Sequence, residues 1–221
     1  GGCYRPLEIR TRPGSILEPG IDRPVVGGNH ETSQRAVDAI MRAFEKAVPE
    51  RLTAGGSTTA GLLIFGGTRR DGAIGTFYET HGGGEGARTD RDGAPVVRVH
   101  LTNTMNTPAE VVESEYMIRV DEQRLRRGSG GTGRHRGGDG MRRAYTVMED
   151  GLSLTTMFER RVIAPYGLQG GADGAPFRVT LHRAAGGSRE LSGKENLALA
   201  KGDRIVMETS GGGGYGTPAG E

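Results

Sequence analysis

Between Thr32 and Val48 the apolar residues Val37, Ile40, Met41, Phe44 and Val48 recur at spacings of three and four, with Arg35, Asp38, Arg42 and Glu45 among them. That is the period of an amphipathic helix. Thr32 or Ser33 stands where a cap is needed and Pro49 where the helix must stop, so the spacing predicts one helix over 32–48 whose apolar stripe packs onto a sheet. Beyond it the apolar runs shorten. Leu62–Phe65, Phe77–Thr80, Val96–Leu101, Tyr116–Val120, Tyr145–Met148, Leu152–Met157, Val179–Leu181 and Arg204–Thr209 read as short strands separated by Gly clusters. The pattern predicts an α+β fold, β-rich with mixed or antiparallel sheets and one prominent helix. A division falls near Arg124, between an α+β part over 1–123 and a Gly/Arg-rich β part over 124–221.

Composition sharpens this in one respect. Gly supplies 40 of 221 residues and Trp none, more than twice the usual share of glycine; many positive-φ turns and few helices are expected. Charge changes less. With 29 Lys+Arg against 27 Asp+Glu the net charge is +2, too balanced for a generic nucleic-acid or membrane-surface binder. No run has the length and apolarity of a membrane span or a signal segment. The single cysteine, Cys3, excludes an internal disulfide and reads as a small buried residue, since two glycines stand before it and deny it the free amine of an N-terminal nucleophile. A cytoplasmic protein is the expectation. The chain opens Gly1-Gly2-Cys3-Tyr4 without Met, and Arg5–Arg10 reads as the interior of a folded element.

Several motifs invite chemistry. Gly128–Gly133 has the G-x-G-x-x-G spacing, but a dinucleotide fingerprint must open a helix, and Arg134-His135-Arg136-Gly137-Gly138 cannot begin one. Gly193-Lys194-Glu195 lacks the Ser or Thr of a phosphate loop. Arg124–Arg143 holds seven Arg against one Asp; with no aromatic interleaved and apolar strands on both sides, a structured hairpin or a contact surface for a partner is expected rather than RNA binding. The five histidines form no metal-binding spacing. The stretch His100-Leu101-Thr102-Asn103-Thr104-Met105-Asn106-Thr107-Pro108 is different. It follows an apolar run and concentrates amide and hydroxyl groups before a proline. Two Asn at spacing three, each followed by Thr, can set donors and acceptors on one side of a tight turn, suited to a substrate carbonyl or phosphate oxygen.

Taken together the phrases CYRPLEI, VVGGNHETSQRAVDAIMRAF, YETHGGGEGAR, HLTNTMNTPAEVVE, RLRRGSGGTGRHRGGDGMRR, ERRVIAPYGLQGGADGAP and GDRIVMETSGGGGYG resemble, in order and spacing, the C-terminal part of the hydantoinase B/5-oxoprolinase family, which also includes acetone and acetophenone carboxylase large subunits. The resemblance implies a subunit of an ATP-dependent amidohydrolase opening a hydantoin, 5-oxoproline or related lactam. The alternatives are a subunit of an ATP-dependent ketone carboxylase, or a non-catalytic scaffold. It further implies a hydantoinase A-type partner that binds ATP and Mg2+ and phosphorylates a small-molecule substrate, and a chain carrying the N-terminal half of hydantoinase B with its divalent metal (Zn, Mn or Fe). Family members are usually longer, so this chain is expected to need that other half, split off by gene or by processing. Carried over residue by residue, the motifs point to Asn29, Glu31 and Thr32, to Glu79 with Gly82–Gly84, and to Asn103, Thr104, Asn106 and Thr107 as substrate-binding residues. His100 is the candidate acid or base. No metal ligand is expected in this chain, and neither His30 nor His81 is given a catalytic role.

Overall fold

The computed structural model describes residues 5–218, so Cys3 lies outside the described residues. Two antiparallel sheets form the frame. One has the order β2-β1-β5-β8, with β1 Leu62–Thr68, β2 Ile74–Glu79, β5 Ser153–Met157 and β8 Lys194–Ala198; the other has the order β3-β4-β9-β6-β7, with β3 Ile118–Arg126, β4 Gly140–Val147, β6 Arg178–His182, β7 Ser188–Glu190 and β9 Arg204–Glu208. The α+β, antiparallel expectation holds. One apolar core joins the sheets: Leu63 and Phe65 of β1, Phe77 of β2 and Leu154 of β5 meet Ile118, Met141, Tyr145, Val179 and Ile205 of the other sheet. Rings pack across the gap, Phe65 and Tyr145 with centroids 5.3 Å apart. The position proposed as a division, Arg124, falls inside β3, which pairs along its length with β4.

Glycine is used differently from the expectation. Only eleven glycines among the described residues have positive φ; most are needed because another backbone passes where a side chain would stand. Segment 210–216 makes no backbone hydrogen bonds within itself as it runs through a bundle of extended segments, and its partners change with a period of three. Gly211 and Gly214 donate to Ala175 and Ala172, Gly212 and Tyr215 donate to Gly138 and His135, and Ser210 and Gly213 accept from Gly84 and Ala87. Three residues per turn with all hydrogen bonds made laterally is the geometry of packed polyproline-II-like chains, whose crowded axis admits only glycine. A Cβ on Gly212 would lie 1.9 Å from the Glu85 carbonyl oxygen, and one on Gly213 1.9 Å from that of Tyr166. A second apolar cluster of Leu52, Ala54, Ala87, Tyr166, Leu168 and Tyr215 surrounds the bundle.

The helix is shorter than its pattern suggested, and it is turned. A π-turn over Gly28–Thr32 leads into α1, Ser33–Ala43; Pro49 begins a separate 3-10 turn, Pro49–Arg51. No side chain caps α1, and Ser33 instead donates to the Asn29 carbonyl. Its buried residues are Gln34 and Asp38, with Glu31 in the preceding π-turn, while Ile40 and Phe44 of the apolar stripe are exposed. The reason lies in Arg160: burying that cation demands a carboxylate, so the Asp38 face turns inward (Asp38 Oδ2 to Arg160, 2.8 Å). Two further expectations fail. Residues 5–10 carry no regular structure and are exposed, and Val96–Leu101 is not a strand. Val96 and His100 have φ of 50° and 66°, which no strand allows, and only Val97 makes a bridge, to Gly83. The arginine-rich stretch does join a hairpin-like pair, β3 and β4. Its charges are largely spent internally, Arg142 on Glu122 and Glu208 and Arg143 on Glu79. Helix α2, Ala109–Glu115, completes the fold.

Candidate functional site

Strand alternation at the end of β2 separates two sets of groups. Phe77, Glu79 and His81 point into the core, and Tyr78 and Thr80 point out. The inward set is a closed polar network. His81 is enclosed; its Nδ1 meets the Gly61 carbonyl at 2.7 Å, and because a carbonyl can only accept, that nitrogen carries the proton and Nε2 receives the Tyr145 hydroxyl at 3.0 Å. Burial pushes the His81 pKa down, keeping the ring neutral. Burial alone would raise the Glu79 carboxyl, but the Arg143 guanidinium and the Thr107 N–H oppose it and hold the group below the ordinary carboxylate range. Glu79 therefore fastens Thr107, the end of the HLTNTMNTP loop, to the sheet through its buried carboxylate. It positions the loop and does not face solvent.

The outward set builds a surface. Tyr78 Oη lies 3.2 Å from His30 Nε2, and Thr80 Oγ1 lies 2.9 Å from Thr104 Oγ1. Arg98 ties the two segments together, donating to Thr80 Oγ1, to the Thr80 carbonyl and to the Thr104 carbonyl. The same arginine lines a pocket of about 490 Å3 shared with Arg51, Arg88, Glu85, Met41 and His100. Although His100 is exposed overall, partial burial of its ring pushes its pKa below the ordinary value, so it is neutral at pH 7 and free to accept a proton. A neutral imidazole among three arginines and one glutamate can take a proton beside an oxyanion.

Of the sequence candidates, Thr104 lies on this outward surface through Arg98, whose pocket also holds His100, while Glu79 is buried behind it and pins Thr107 from within. Glu31 lies behind it, buried, accepting from Thr59 Oγ1 at 2.6 Å and from the Ala60 N–H at 3.1 Å; burial raises its carboxyl to about 7. Asn29 is exposed and Thr32 half-buried. The two asparagines differ in burial: Asn103 is exposed, whereas Asn106 is half-buried with its Nδ2 enclosed and unpartnered. Gly82–Gly84 serve the bundle, a Cβ on Gly84 meeting the Gly138 carbonyl at 1.9 Å. Sequence reasoning missed Tyr78, Arg98 and Arg143. Alternation held the signal for the last, since Met141, Arg143, Tyr145 and Val147 are all buried at steps of two. Among the described residues no three His, Cys, Asp or Glu side chains converge as a metal group would require. Lys194 is committed to the Phe158 carbonyl and Glu159, leaving Gly193-Lys194-Glu195 without a phosphate cradle.

The chain belongs to the hydantoinase B/oxoprolinase family, whose model matches residues 1–218. It is 42% identical to an uncharacterised protein of Methanocaldococcus jannaschii over 98% of this chain and 37% of that protein. It is 35% identical to a 5-oxoprolinase of Dictyostelium discoideum over 97% of this chain and 16% of that protein. Among solved structures, an ATP-dependent caprolactamase from Pseudomonas jessenii matches 98% of this chain and 39% of its own with a TM-score of 0.84 and 26% identity. A nucleotide-free acetone carboxylase, at 21% identity and TM-score 0.62 over 78% of this chain and 28% of its own, shares the fold. The chain thus spans well under half the length of these proteins.

Proposed function

We propose that this chain is the hydantoinase B-like C-terminal portion of an ATP-dependent amidohydrolase that opens a hydantoin, 5-oxoproline or related lactam. The observation carrying this reading is the match over 98% of the chain to a caprolactamase, a cyclic-amide enzyme. In this proposal ATP and Mg2+ belong to a hydantoinase A-type partner, and a divalent metal belongs to the N-terminal hydantoinase B half. Phosphorylation by the partner would turn an unreactive amide oxygen into a leaving group. The residues here then have distinct tasks. Arg98, locked by Thr80 and Thr104, holds the HLTNTMNTP loop against the sheet. Asn103 offers an uncommitted amide to a substrate oxygen, and neutral His100 takes the proton of attacking water. Asn29, Glu31 and Thr32 shape the adjoining edge.

The test is reconstitution of the complete assembly and measurement of ATP hydrolysis with and without 5-oxoproline, hydantoin or caprolactam. Stimulation by a lactam in bicarbonate-free buffer supports the reading. Turnover seen only with a ketone and bicarbonate would replace it with the carboxylase reading, for which the acetone carboxylase likeness supplies the fold but no residue.

A further inference from the structure

The other flank of α1 borders a second cavity, about 590 Å3, that the site above does not use. The helix contributes Arg35, Asp38 and Arg42, and the opposite wall is the ERRVI stretch, Glu159–Ile163, with Phe158, Tyr166 and Lys194. Its charges do not balance. Asp38 serves both Arg35 (3.6 Å) and Arg160 (2.8 Å), Glu159 serves Lys194 (2.9 Å) and Glu190 serves Arg161 (3.0 Å). Arg42 makes no ion pair among the described residues and rests on the Tyr166 ring at 4.5 Å. Among these pairs two positive charges are left over, which the raised carboxyl of Glu31 nearby offsets only in part. Arg160 is only 3% exposed, and its Nε, like that of Arg35, has no hydrogen-bond partner. Such donors are rarely abandoned in a buried place. The arrangement is also costly to its members, since burial pushes Arg160 down to about 10. It is held by Thr58, a β-branched residue at φ 37° whose hydroxyl receives Arg160 at 3.0 Å and whose carbonyl accepts from Arg35. Strain of this kind persists where the surroundings over-determine it.

The remaining wall is apolar. Phe158 and Tyr166 form its floor, and Val162 and Ile163 stand at its rim, 84% and 74% exposed. We propose that this cavity is a binding site for a small organic carboxylate, its anionic head at Arg42 and Arg35 and its apolar body along Phe158, Val162 and Ile163. A leftover cationic charge calls for an anion; the apolar rim distinguishes a carboxylate with a hydrocarbon body from free phosphate; the volume suits a small molecule. Its lining shares no residue with the His100 pocket, although Asp38, Arg35 and Arg160 are close enough for their charges to act on His100; its existence does not depend on the reaction proposed above.

Calorimetric titration of the complete native protein with hexanoate, hexanamide and inorganic phosphate tests this. Saturable binding of hexanoate is expected, with hexanamide and phosphate each roughly tenfold weaker. Arg42→Gln should weaken hexanoate by a similar factor and Arg42→Lys should restore most of it, while Arg23→Gln on the exposed N-terminal segment should change nothing. Arg42 is solvent-exposed, so its loss leaves the fold intact. Hexanamide binding as well as hexanoate would overturn the charge argument, and phosphate doing so would overturn the apolar one. Absence of saturable heat, or an Arg42→Gln variant that binds like the parent, would sink the site altogether.

Discussion

Replacing Gly212 by Ala adds one methyl group where no room exists. Its Cβ would stand 1.9 Å from the Glu85 carbonyl oxygen, against an ordinary carbon–oxygen contact of about 3.3 Å, so one backbone must retreat by well over an ångström. That movement cannot be absorbed by a rotamer, because the obstacle is itself main chain. Three hydrogen bonds hold the surrounding segments in place: Gly212 N–H to Gly138, Gly131 N–H to Gly212, and Gly138 N–H to Glu85, all between 2.8 and 2.9 Å. Stretching all three at about 1 kcal/mol net each, with a further desolvation cost for any group left unpaired, gives a loss of about 3–5 kcal/mol. Urea unfolding at constant m measures it directly. Gly28→Ala is the control, having nothing within 4 Å of its would-be Cβ, and should be neutral or stabilising by up to about 1 kcal/mol. A Gly212→Ala protein within 1 kcal/mol of the parent would refute the bundle's role.

Other outcomes follow from the buried acids and the loop. Arg143 and the Thr107 N–H hold the folded Glu79 carboxyl below an ordinary Glu, so it contributes stability above the unfolded pKa that is lost as pH falls through the folded one; that acid-side loss should shrink in Glu79→Gln, itself less stable at pH 7. Urea midpoints between pH 5 and 2 with equal slopes for both proteins would contradict this. Glu31 has the opposite sign: its carboxyl, raised to about 7 by burial, favours the fold below pH 4.5, an advantage lost as pH rises through 7. Glu31→Gln should therefore match or exceed parental stability at pH 8, and a large loss there would show the carboxylate to be needed charged. His100→Gly should keep or gain up to about 1 kcal/mol by relieving φ 66°, while turnover of the assembled enzyme falls; unchanged turnover removes His100 as the base. Asn103→Ala, at an exposed side chain, should alter stability by less than about 0.5 kcal/mol yet slow turnover with assembly intact, and a parental rate would favour a scaffold.

How much of this could be read beforehand depends on the range of the interaction. Alternation in Leu62–Phe65, Leu152–Met157 and Arg204–Thr209 survives because each strand sees the same apolar core along one face. The α1 face was misjudged since its orientation is decided by Arg160, more than a hundred residues away, and no local period carries that information. The same holds for Val96–Leu101, whose strand-like composition is overruled by a φ imposed at both ends. High glycine content reads as turns because a turn is the local reason for glycine; that the run Gly211–Gly216 either turns or closely approaches something is legible too, but not which neighbour on another segment it approaches. At the site, motif resemblance found the segments containing Glu79, Thr104 and His100. It could not distinguish the inward Glu79 from the outward Tyr78 beside it.

The three-residue rhythm of segment 210–216 also bears on when the molecule can become whole. Its partners come from around residues 55, 84, 87, 138, 172 and 175, all earlier in the chain. A ribosome that has not yet delivered Gly211–Gly214 has delivered a set of walls with nothing between them, each exposing unpaired carbonyls and amides. The sheets have local hairpins such as β1–β2 to begin from, but the bundle has none, so its order is gained late and all at once. A nascent chain stalled before Ser210 should thus be far more open to proteases around residues 84–87 and 130–138 than one stalled past Thr217, and that interval is when a chaperone would find most to hold.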